Sequence, residues 1–531
     1  MSQNFRFTST WLRFFFILLL SLGIFFRFIN LDRKVYWKDE TVTSLRISGS
    51  SWSQVLRQNF DGHEIGIDDL QRHLHINSEK KLINTLKSTA KEEPQISPLY
   101  YALTHFWVQW FGDSIAAIRS FSAFTSLLVF PCIYWLCLEL FESSLTGWVA
   151  VALTTVSPFH VLYAQEARMY SLWIVMLLLS SAALLRAIRL KTKYSWVIYS
   201  ITLALALYSH LLSGLIAIGH GIYLSINERF RFNRTFTSYI VALSTALLAF
   251  APWSLIILFN YTQSHATTEW LDKEAPFLLL LNRWIFRLSS IFFDFSSLVL
   301  KDVHNGVNDP ITYIFSLPIL FFILYSIYFT SSQTHQRIWL FILCLGGSMF
   351  FIIILPSFLR SREMAAIIRY QISCLLSIQL ACSHTLSIHL KAVNLSQRKI
   401  YQVIFALLIT SGVLSCVASS QSEHWWNKGD GYKNLQVARL INQSQRPLLI
   451  SNDNGSNTSN ILSLSYILEQ KVRLKLVIDP KVPNISQGFS EVFLFNPSEL
   501  LRNKIEKEQN YKTELIKPEN LNLWKLVNYP S

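Results

Sequence analysis

The stretch "SPFHVLYAQEARMYSLW", residues 157–173, places polar and charged side chains within an otherwise apolar run. The residues that interrupt the run are Glu166, Arg168 and Tyr170. Ionisable groups at membrane depth are costly, and they often mark functional sites. The alternative is a Glu166–Arg168 pair that only anchors the chain at the membrane interface. Both interpretations place the stretch at the edge of a membrane.

The stretch lies between two of eleven apolar segments, each about as long as a bilayer is thick. The chain is 51% hydrophobic and only 15% charged, whereas soluble domains carry roughly 25% charged residues. We therefore expect an α-helical polytopic membrane protein. The expected spans are 11–29, 115–140, 147–165, 170–188, 195–210, 211–227, 236–258, 311–330, 338–356, 367–389 and 400–420.

The first apolar run is bracketed by Arg13 and Arg27, and no small-residue cleavage site follows it. Long basic side chains are able to reach the membrane interface from such positions. We therefore expect an uncleaved transmembrane helix, and a cleaved signal peptide is the alternative.

Basic clusters predict the orientation of the chain, because cytoplasmic loops carry an excess of Lys and Arg. The clusters are "RAIRLKTK" (186–193), "ERFRFNR" (228–234) and "KAVNLSQRK" (391–399). With eleven spans and a cytoplasmic N-terminus, all three lie inside. The net charge of +14 is likewise typical of basic cytoplasmic loops in a membrane protein, so we expect no nucleic-acid partner. The long segments outside the membrane are then 31–114, 259–310 and 421–531.

The composition changes near residue 420, which predicts a transmembrane domain over 1–420 and a small extracytoplasmic α/β domain over 421–531. Helix-like and strand-like segments alternate in this tail, a pattern typical of a sheet with a parallel core. The segment "TELIKPENLNLWKLV" (513–527) predicts a terminal hairpin.

The first outer loop contains two predicted helices. Residues 67–93 predict one polar helix, and residues 97–111 predict an amphipathic helix lying in the outer interface. In the second helix, Tyr101, His105 and Gln109 are four residues apart and share one face.

Asp39 and Glu40 follow two aromatic residues, Tyr36 and Trp37, just after the first span. Neighbouring carboxylates repel each other, so one of them retains a proton or requires a nearby cation. A partly desolvated carboxylate is also a stronger base than one in water. The alternative is a solvated acidic pair beside Lys38.

Three arginines concentrate positive charge on the outer side, in "PSFLRSREMAAIIRYQ" (356–371). Arg360, Arg362 and Arg369 are suited to bind phosphate through charge-assisted hydrogen bonds. Ordinary anchoring to lipid headgroups is the alternative. The outward-facing His210 and His265 form no metal-binding spacing with the acids, and the six cysteines all fall in apolar runs, as buried structural cysteines do.

Together these motifs resemble the membrane glycosyltransferases of the C-type superfamily, specifically the family of protein O-mannosyltransferases and lipid A aminoarabinose transferases. The similarity is greatest to the bacterial members grouped as family 39, and it covers about residues 10–420. It is carried by "YWKDE", by "SPLYYALTHFWVQWFGDSIAAIRSFSA", by "SPFHVLYAQEARMYSLW" and, more weakly, by "IRYQISCLL". Many members have His or Lys before the two prolines of a Pro-Pro-Leu-Tyr-Tyr motif, whereas this chain has Ile96-Ser97-Pro98 there.

The resemblance implies a C-type glycosyltransferase fold of about eleven spans in a bacterial inner membrane, with an extracytoplasmic active site. The donor would be a sugar on a polyprenyl phosphate, and the acceptor a hydroxyl or amine of a protein, lipid or glycan. One inverting transfer would move the sugar. The resemblance implies no required cofactor, and a divalent cation remains an alternative.

The resemblance also implies roles for individual residues. Asp39 would take the acceptor proton, and Glu40 and Glu166 would position acceptor or sugar. Arg369, with Arg168 or Arg119, would stabilise the departing phosphate. Further donor-binding residues would be Tyr170 and Tyr370, and further acceptor or loop residues would be Tyr36, Trp37, Tyr100, Tyr101 and His105.

Two other classes of protein remain open at this stage. A transporter or flippase for lipid-linked sugars would need polar groups near the membrane midplane or a two-fold repeat, and no clear repeat is present. A non-catalytic scaffold that displays the tail would be insensitive to a change at Asp39.

Overall fold

The structure is a computed structural model that describes residues 10–77, 80–294, 310–509 and 511–528. The part of the expected outer loop 259–310 that spans 295–309 lies outside the described residues. The chain forms two compact units. The first comprises the residues up to Leu31, Glu93–Tyr100 and Arg119–Ser422, and the second comprises Asp32–Glu92, Tyr101–Ile118 and the chain from Glu423 onward.

The described α-helices are numbered in chain order. They are α1 (Thr10–Phe28), α2 (Lys38–Ile47), α3 (Trp52–Asn59), α4 (Ile67–Gln71), α5 (Leu82–Glu92), α6 (Leu99–Phe111), α7 (Ile115–Leu127), α8 (Val129–Phe141), α9 (Ser144–Thr155), α10 (Pro158–Ala164), α11 (Tyr170–Leu190), α12 (Lys193–Ser209), α13 (Ser213–Asn227), α14 (Arg234–Phe259), α15 (Tyr261–Ala266), α16 (Phe277–Ser289), α17 (Pro310–Gln333), α18 (Gln336–Met349), α19 (Leu355–Leu359), α20 (Ile372–His389), α21 (Leu395–Gln421), α22 (Gly431–Asn442), α23 (Asn457–Ser465) and α24 (Glu499–Glu508).

The first unit is a multi-span helical membrane domain. Among the described residues, seven helical stretches are long and apolar enough to cross a membrane, or eight if the bent pair α9–α10 is one span. The expected count of eleven is therefore not reached by this criterion. The expected spans 195–210 and 211–227 are helices of only 17 and 15 residues, and the span 11–29 is the 19-residue helix α1.

The stretch 157–173 contains a break in the helical bundle. Helix α9 ends at Thr155, and α10 starts at Pro158 after a bend of 61°. Proline suits the first helical position because it has no amide hydrogen that would need a partner. Helix α10 then ends at Ala164, and a polar turn leads into α11. The expected span 147–165 is therefore two helices.

We had expected Arg27 to extend to the membrane interface. In the structure its side chain is instead fully buried. Its guanidinium donates to the carbonyl oxygens of Gly23 (2.9 Å) and Thr155 (2.8 Å) and to Ser126 Oγ (3.1 Å). It also lies over the Phe130 ring, at 4.7 Å from the centroid. Arg27 therefore joins α1 to its neighbours from within the first unit.

The second unit contains one mixed β-sheet with helices on both faces. Its strands are β1 (Asp61–Ile65), β2 (Pro447–Asn452), β3 (Arg473–Val477), β4 (Glu491–Phe495), β5 (Tyr511–Leu515) and β6 (Leu523–Asn528). The strand order is β1-β3-β2-β4-β6-β5. Strand β2 is parallel to both β3 and β4, and β5 and β6 pair antiparallel, so the predicted parallel core and terminal hairpin are confirmed.

Two features of this unit differ from the sequence predictions. The edge strand β1 comes from the first outer loop and pairs antiparallel with β3. The single helix expected over 67–93 is two short helices, α4 and α5. One face of the sheet packs against apolar residues of α2, α3, α4, α22 and α23, and the other packs against Leu501 and Ile505 of α24.

Candidate active site

The acidic pair stands at the start of α2, in the second unit. Trp37 is the residue before the helix, and its carbonyl oxygen accepts from the amides of Glu40 (2.9 Å) and Thr41 (3.1 Å). Asp39 and Glu40 are therefore in the first helical turn, where the helix dipole favours negative charge. Asp39 is half-buried, whereas Glu40 is fully buried.

Glu40 forms a buried ion pair with a residue of the tail. Its Oε2 lies 2.9 Å from Lys428 Nζ, and both side chains are completely shielded from solvent. The expected cation beside the acidic pair is thus present, and it is a lysine that lies 388 residues further along the chain. Glu40 is held by Lys428, whereas Asp39 retains partial exposure.

Tyr36 and Trp37 are buried, with 2% and 5% exposure. Tyr36 Oη lies 2.7 Å from Ser44 Oγ, and the Tyr36 ring packs edge-on against Tyr466. A Cβ atom added at Gly429 would lie 3.1 Å from the Trp37 ring, so this ring packs directly on the tail backbone. Of the two roles that the sequence left open, this burial favours anchoring of the loop over contact with a sugar ring.

Tyr101 and His105 face inward from α6, whereas Gln109 is exposed. His105 Nδ1 donates to the carbonyl oxygen of Ile47 (2.9 Å) at the end of α2. His105 also borders a cavity of about 480 Å³ that Lys80 and Lys81 help to line. The exposed side of α6 carries Leu103, Phe106, Trp110 and Phe111, as expected for a helix at a membrane interface.

Arg119 and Tyr100 belong to the first unit and both are buried. Arg119 Nη1 donates to the carbonyl oxygen of Leu31 (2.7 Å), so it contacts the chain where the first loop begins. Tyr100 Oη lies 2.8 Å from Ser122 Oγ, and Ser122 Oγ donates to the carbonyl oxygen of Arg168 (3.3 Å). Tyr100 is thereby connected to the polar turn before α11.

That polar turn is Gln165–Met169, and its charged side chains are buried: Glu166 is 1% and Arg168 7% exposed. Gln165 Nε2 fixes the turn by donating to the carbonyl oxygens of Phe26 (2.8 Å) and Ile29 (2.9 Å). Within the turn, the Arg168 amide donates to the Glu166 carbonyl oxygen (2.7 Å). The arrangement holds a carboxylate and a guanidinium inside the protein.

Tyr170 is the first residue of α11, and its ring packs edge-on against Tyr163, at 5.0 Å between centroids. Tyr163 also lies within electrostatic range of Glu166, Arg369 and Arg287. Tyr163 therefore shares one neighbourhood with residues from three separate stretches of sequence.

Arg369 and Tyr370 lie in a short 3-10 helix, Ile368–Gln371, and both are half-buried. The Arg369 guanidinium lies over the rings of Trp270 (5.6 Å) and Tyr370 (5.7 Å), which favour a cation. The His210 ring lies 6.3 Å from Tyr370, and the charges of Arg168 and Arg369 both act on it. The structure therefore brings the expected donor-binding residues Glu166, Arg168, Tyr170, Arg369 and Tyr370 together in the first unit.

Arg287 is the main residue that the sequence analysis missed. It lies in α16, and its neighbours include Tyr163, Asp294, Arg283 and Arg369. Burial lowers the pKa of the Arg287 guanidinium to about 10, so the group remains charged at neutral pH. The sequence does carry a pattern that could have indicated Arg287. In the apolar stretch "FLLLLNRWIFRLSS" (277–290), Arg283 and Arg287 are four residues apart and so share one face of a helix. We call Arg168, Arg287 and Arg369 the arginine cluster.

The other two arginines of the stretch 356–371 have different surroundings. Arg362 lies 3.4 Å from Glu274 and donates to the carbonyl oxygen of Asp272, so it fixes a neighbouring loop. Arg360 is exposed, and both line a cavity of about 450 Å³. Across the described parts of the chain, no group of three or more His, Cys, Asp or Glu residues is placed to hold a metal ion.

The first unit is thus a multi-span helical bundle that holds a buried carboxylate and the arginine cluster. Residues 93–256 match the family described as dolichyl-phosphate-mannose-protein mannosyltransferase. This matched segment contains the motif "AQEARMY" (164–170) and most of the helices around it.

The fold is similar over nearly its whole length to two crystal structures of ArnT from Cupriavidus metallidurans. The structure bound to undecaprenyl phosphate has 10% identity and a TM-score of 0.50, covering 99% of this chain and 99% of that one. The apo structure has 9% identity and a TM-score of 0.51, covering 97% and 98%. No curated protein matches the chain by sequence.

The resemblance drawn from the motifs is thus confirmed: residues 93–256 match the mannosyltransferase family, and the chain is an integral multi-pass membrane protein with the ArnT fold. Its fold class, a helical membrane domain with a smaller sheet-containing part, is confirmed as well.

Proposed function

We propose that the protein transfers a sugar from a polyprenyl phosphate to a hydroxyl or amine of an acceptor outside the cytoplasm. The observation that supports this most is the arginine cluster, which gathers positive charge from three separate segments of the first unit. Clustered guanidinium charge attracts an anionic ligand, and guanidinium groups are suited to phosphate. The ArnT structure bound to undecaprenyl phosphate, which has the same fold, supports a donor of this class.

In the proposed reaction the acceptor oxygen or nitrogen attacks the anomeric carbon of the sugar. The bond from that carbon to the phosphate oxygen breaks, and both of its electrons leave with the polyprenyl phosphate. The arginine cluster stabilises the extra negative charge that develops on the phosphate. Because this leaving group is already a weak base, it needs no proton from a general acid. A single displacement inverts the configuration of the sugar.

Asp39 is the group to which we assign the acceptor proton. It is half-buried in the first turn of α2, where it is accessible to an acceptor and yet partly desolvated. Glu40 is assigned to positioning, because Lys428 already holds it in a buried ion pair. Glu166, Tyr170 and Tyr370 are assigned to contacts with the sugar or the phosphate of the donor.

The assignments to the membrane sides follow from the basic clusters. We propose a cytoplasmic N-terminus, an extracytoplasmic tail and a reaction outside the cytoplasm of a bacterial inner membrane. We also propose that no metal ion is required, because the arginine cluster can supply the positive charge that a metal would otherwise bring to the phosphate.

The test compares wild type with Asp39→Asn in proteoliposomes that receive radiolabelled polyprenyl-phosphate sugars and an extracytoplasmic membrane extract. Loss of the general base is expected to lower kcat about 10²- to 10⁴-fold. Binding of polyprenyl phosphate is expected to persist, because the arginine cluster is intact.

Asp68→Asn is the matched control, because Asp68 is an exposed aspartate in the first turn of another helix of the same unit. It should transfer sugar at the wild-type rate. Equal transfer by wild type and Asp39→Asn would remove Asp39 from the mechanism.

A further inference from the structure

The pair of Glu40 and Lys428 joins the acidic motif to the segment that follows the last helix of the bundle. Lys428 lies at the end of the short 3-10 helix Trp426–Lys428, and its Nζ is 2.9 Å from Glu40 Oε2. Neither side chain has any solvent-accessible surface. An ion pair so completely desolvated is maintained only with good geometry and additional contacts.

Backbone contacts reinforce this connection on both sides of the acidic pair. The Val35 amide donates to the Glu423 carbonyl oxygen (2.8 Å), and Ser463 Oγ donates to the Tyr36 carbonyl oxygen (2.6 Å). Further along α2, Thr41 Oγ1 lies 3.4 Å from the Ser459 carbonyl oxygen. The chain that leads into Asp39 is thus fixed to the tail at several points.

Glycines in the tail allow this close approach. Gly429 has a φ of +50°, a conformation that L side chains rarely adopt, and it lies against the Trp37 ring. A Cβ atom at Gly431 would lie 2.8 Å from Val35 Cγ1 and 3.3 Å from Trp37 Cβ. The segment 428–431 therefore fits closely against residues 35–40.

We propose that Lys428 is a positioning residue for the reaction: it holds Glu40 ionised and in place, so that the first turn of α2 presents Asp39. The tail then forms part of the catalytic machinery rather than a separate appendage. This inference rests on the proposed function, because it takes Asp39 to be the base.

Losing Lys428 removes a positive charge that lies 2.9 Å from a fully buried carboxylate. Such a group takes up a proton or moves towards water. Either change alters the first turn of α2, and Asp39 is the adjacent residue. A displacement of about 1 Å in a reacting group is enough to lower a rate about 10²-fold.

The test measures kcat and the donor KM for the full-length protein and its Lys428→Met variant. We expect kcat to fall about 10²-fold, as for a misplaced reacting group. The donor KM should stay within about threefold of wild type, since the arginine cluster is in the other unit and is unchanged. Lys433→Met is the matched control. Lys433 lies five residues after Lys428 and forms a partly exposed ion pair with Asp430, so its loss should leave kcat unchanged.

The double variant Glu40→Gln/Lys428→Met removes both charges of the buried pair. We expect its kcat to be about tenfold above that of Lys428→Met and about tenfold below wild type, roughly the middle of the 10²-fold range. This recovery separates positioning from a general loss of structure. It also keeps the proposal testable if Lys428→Met does not fold.

Three outcomes would overturn the proposal. They are wild-type kcat for Lys428→Met, wild-type kcat for the double variant, and equal losses in both variants together with loss of folded protein.

Asp39→Asn is measured in parallel, to distinguish failure of this inference from failure of the proposed function. If it is inactive while Lys428→Met is fully active, the proposed function stands and the inference fails. If it is fully active, the proposed function fails and the inference fails with it.

Discussion

Arginines in the first unit have two kinds of surroundings, and these imply two kinds of role. Arg27 and Arg119 donate to backbone carbonyl oxygens, as structural residues do. Arg369 instead lies over the rings of Trp270 and Tyr370 and is half-buried. Aromatic faces favour a cation, and the planar guanidinium fork is suited to bind phosphate.

Substituting Arg369 tests this distinction. In Arg369→Met the phosphate loses one of its proposed charge-assisted donors, and loss of such a donor typically costs about 10²- to 10³-fold in kcat. The donor KM should also rise, because the ground-state phosphodiester is already negative. The measurement is steady-state transfer from a labelled polyprenyl-phosphate sugar.

Arg186→Met is the control for Arg369→Met. Arg186 is 46% exposed and pairs with Glu139, away from the arginine cluster in sequence, so both constants should match wild type. Wild-type kcat and KM in Arg369→Met would contradict a phosphate-binding role for Arg369.

At the scale of elements, close helix packing in the first unit depends on small residues. A Cβ atom at Gly219 of α13 would clash with the carbonyl oxygen of Cys344 in α18, and one at Gly412 of α21 would lie 2.6 Å from the carbonyl oxygen of Val156. Helices in membranes gain stability from such close approach, because lipid offers no hydrophobic driving force between them. The bend between α9 and α10 also shapes the first unit, because the polar turn that follows α10 is buried in the protein.

Gly219→Ala should therefore lower the thermal stability of the protein. The atom it would clash with is backbone and cannot rotate away, so the two helices must shift, at a cost of about 1–3 kcal/mol. Differential scanning fluorimetry in detergent is the measurement.

Gly214→Ala in the same helix is the matched control for Gly219→Ala. Nothing lies within 4 Å of a Cβ atom there, so stability should be unchanged or slightly higher. Equal unfolding temperatures for the two variants would show that the α13–α18 contact is not tightly packed.

The elements of the tail could be predicted from sequence because their periodicities alternate clearly over short segments. Strand β1 could not be predicted in this way. Its sequence "DGHEI" is polar and mostly exposed, and it shows no alternation of apolar and polar residues. The motif residues Glu166, Arg168 and Arg369 were predicted, and the structure brings them together. The pairing of Glu40 with Lys428 has no local pattern, because it joins positions 388 residues apart.

At the scale of the whole molecule, two compact units divide the proposed roles. The first unit holds the arginine cluster, and the second holds Asp39, Glu40 and Lys428. In the proposed reaction the arginine cluster stabilises the leaving phosphate, and the base takes the acceptor proton. A transporter of lipid-linked sugars would need the phosphate-binding arginine cluster but no base. A non-catalytic scaffold would need neither the arginine cluster nor the base.

The most direct measurement of the central claim follows transfer and translocation in the same proteoliposomes. Wild-type protein receives a polyprenyl-phosphate sugar labelled in both the sugar and the lipid, together with the membrane extract. We predict that labelled sugar appears on the acceptor with inverted configuration, and that one polyprenyl phosphate is released for each sugar transferred. Movement of the doubly labelled lipid across the bilayer, without any transfer of its sugar, would contradict the account.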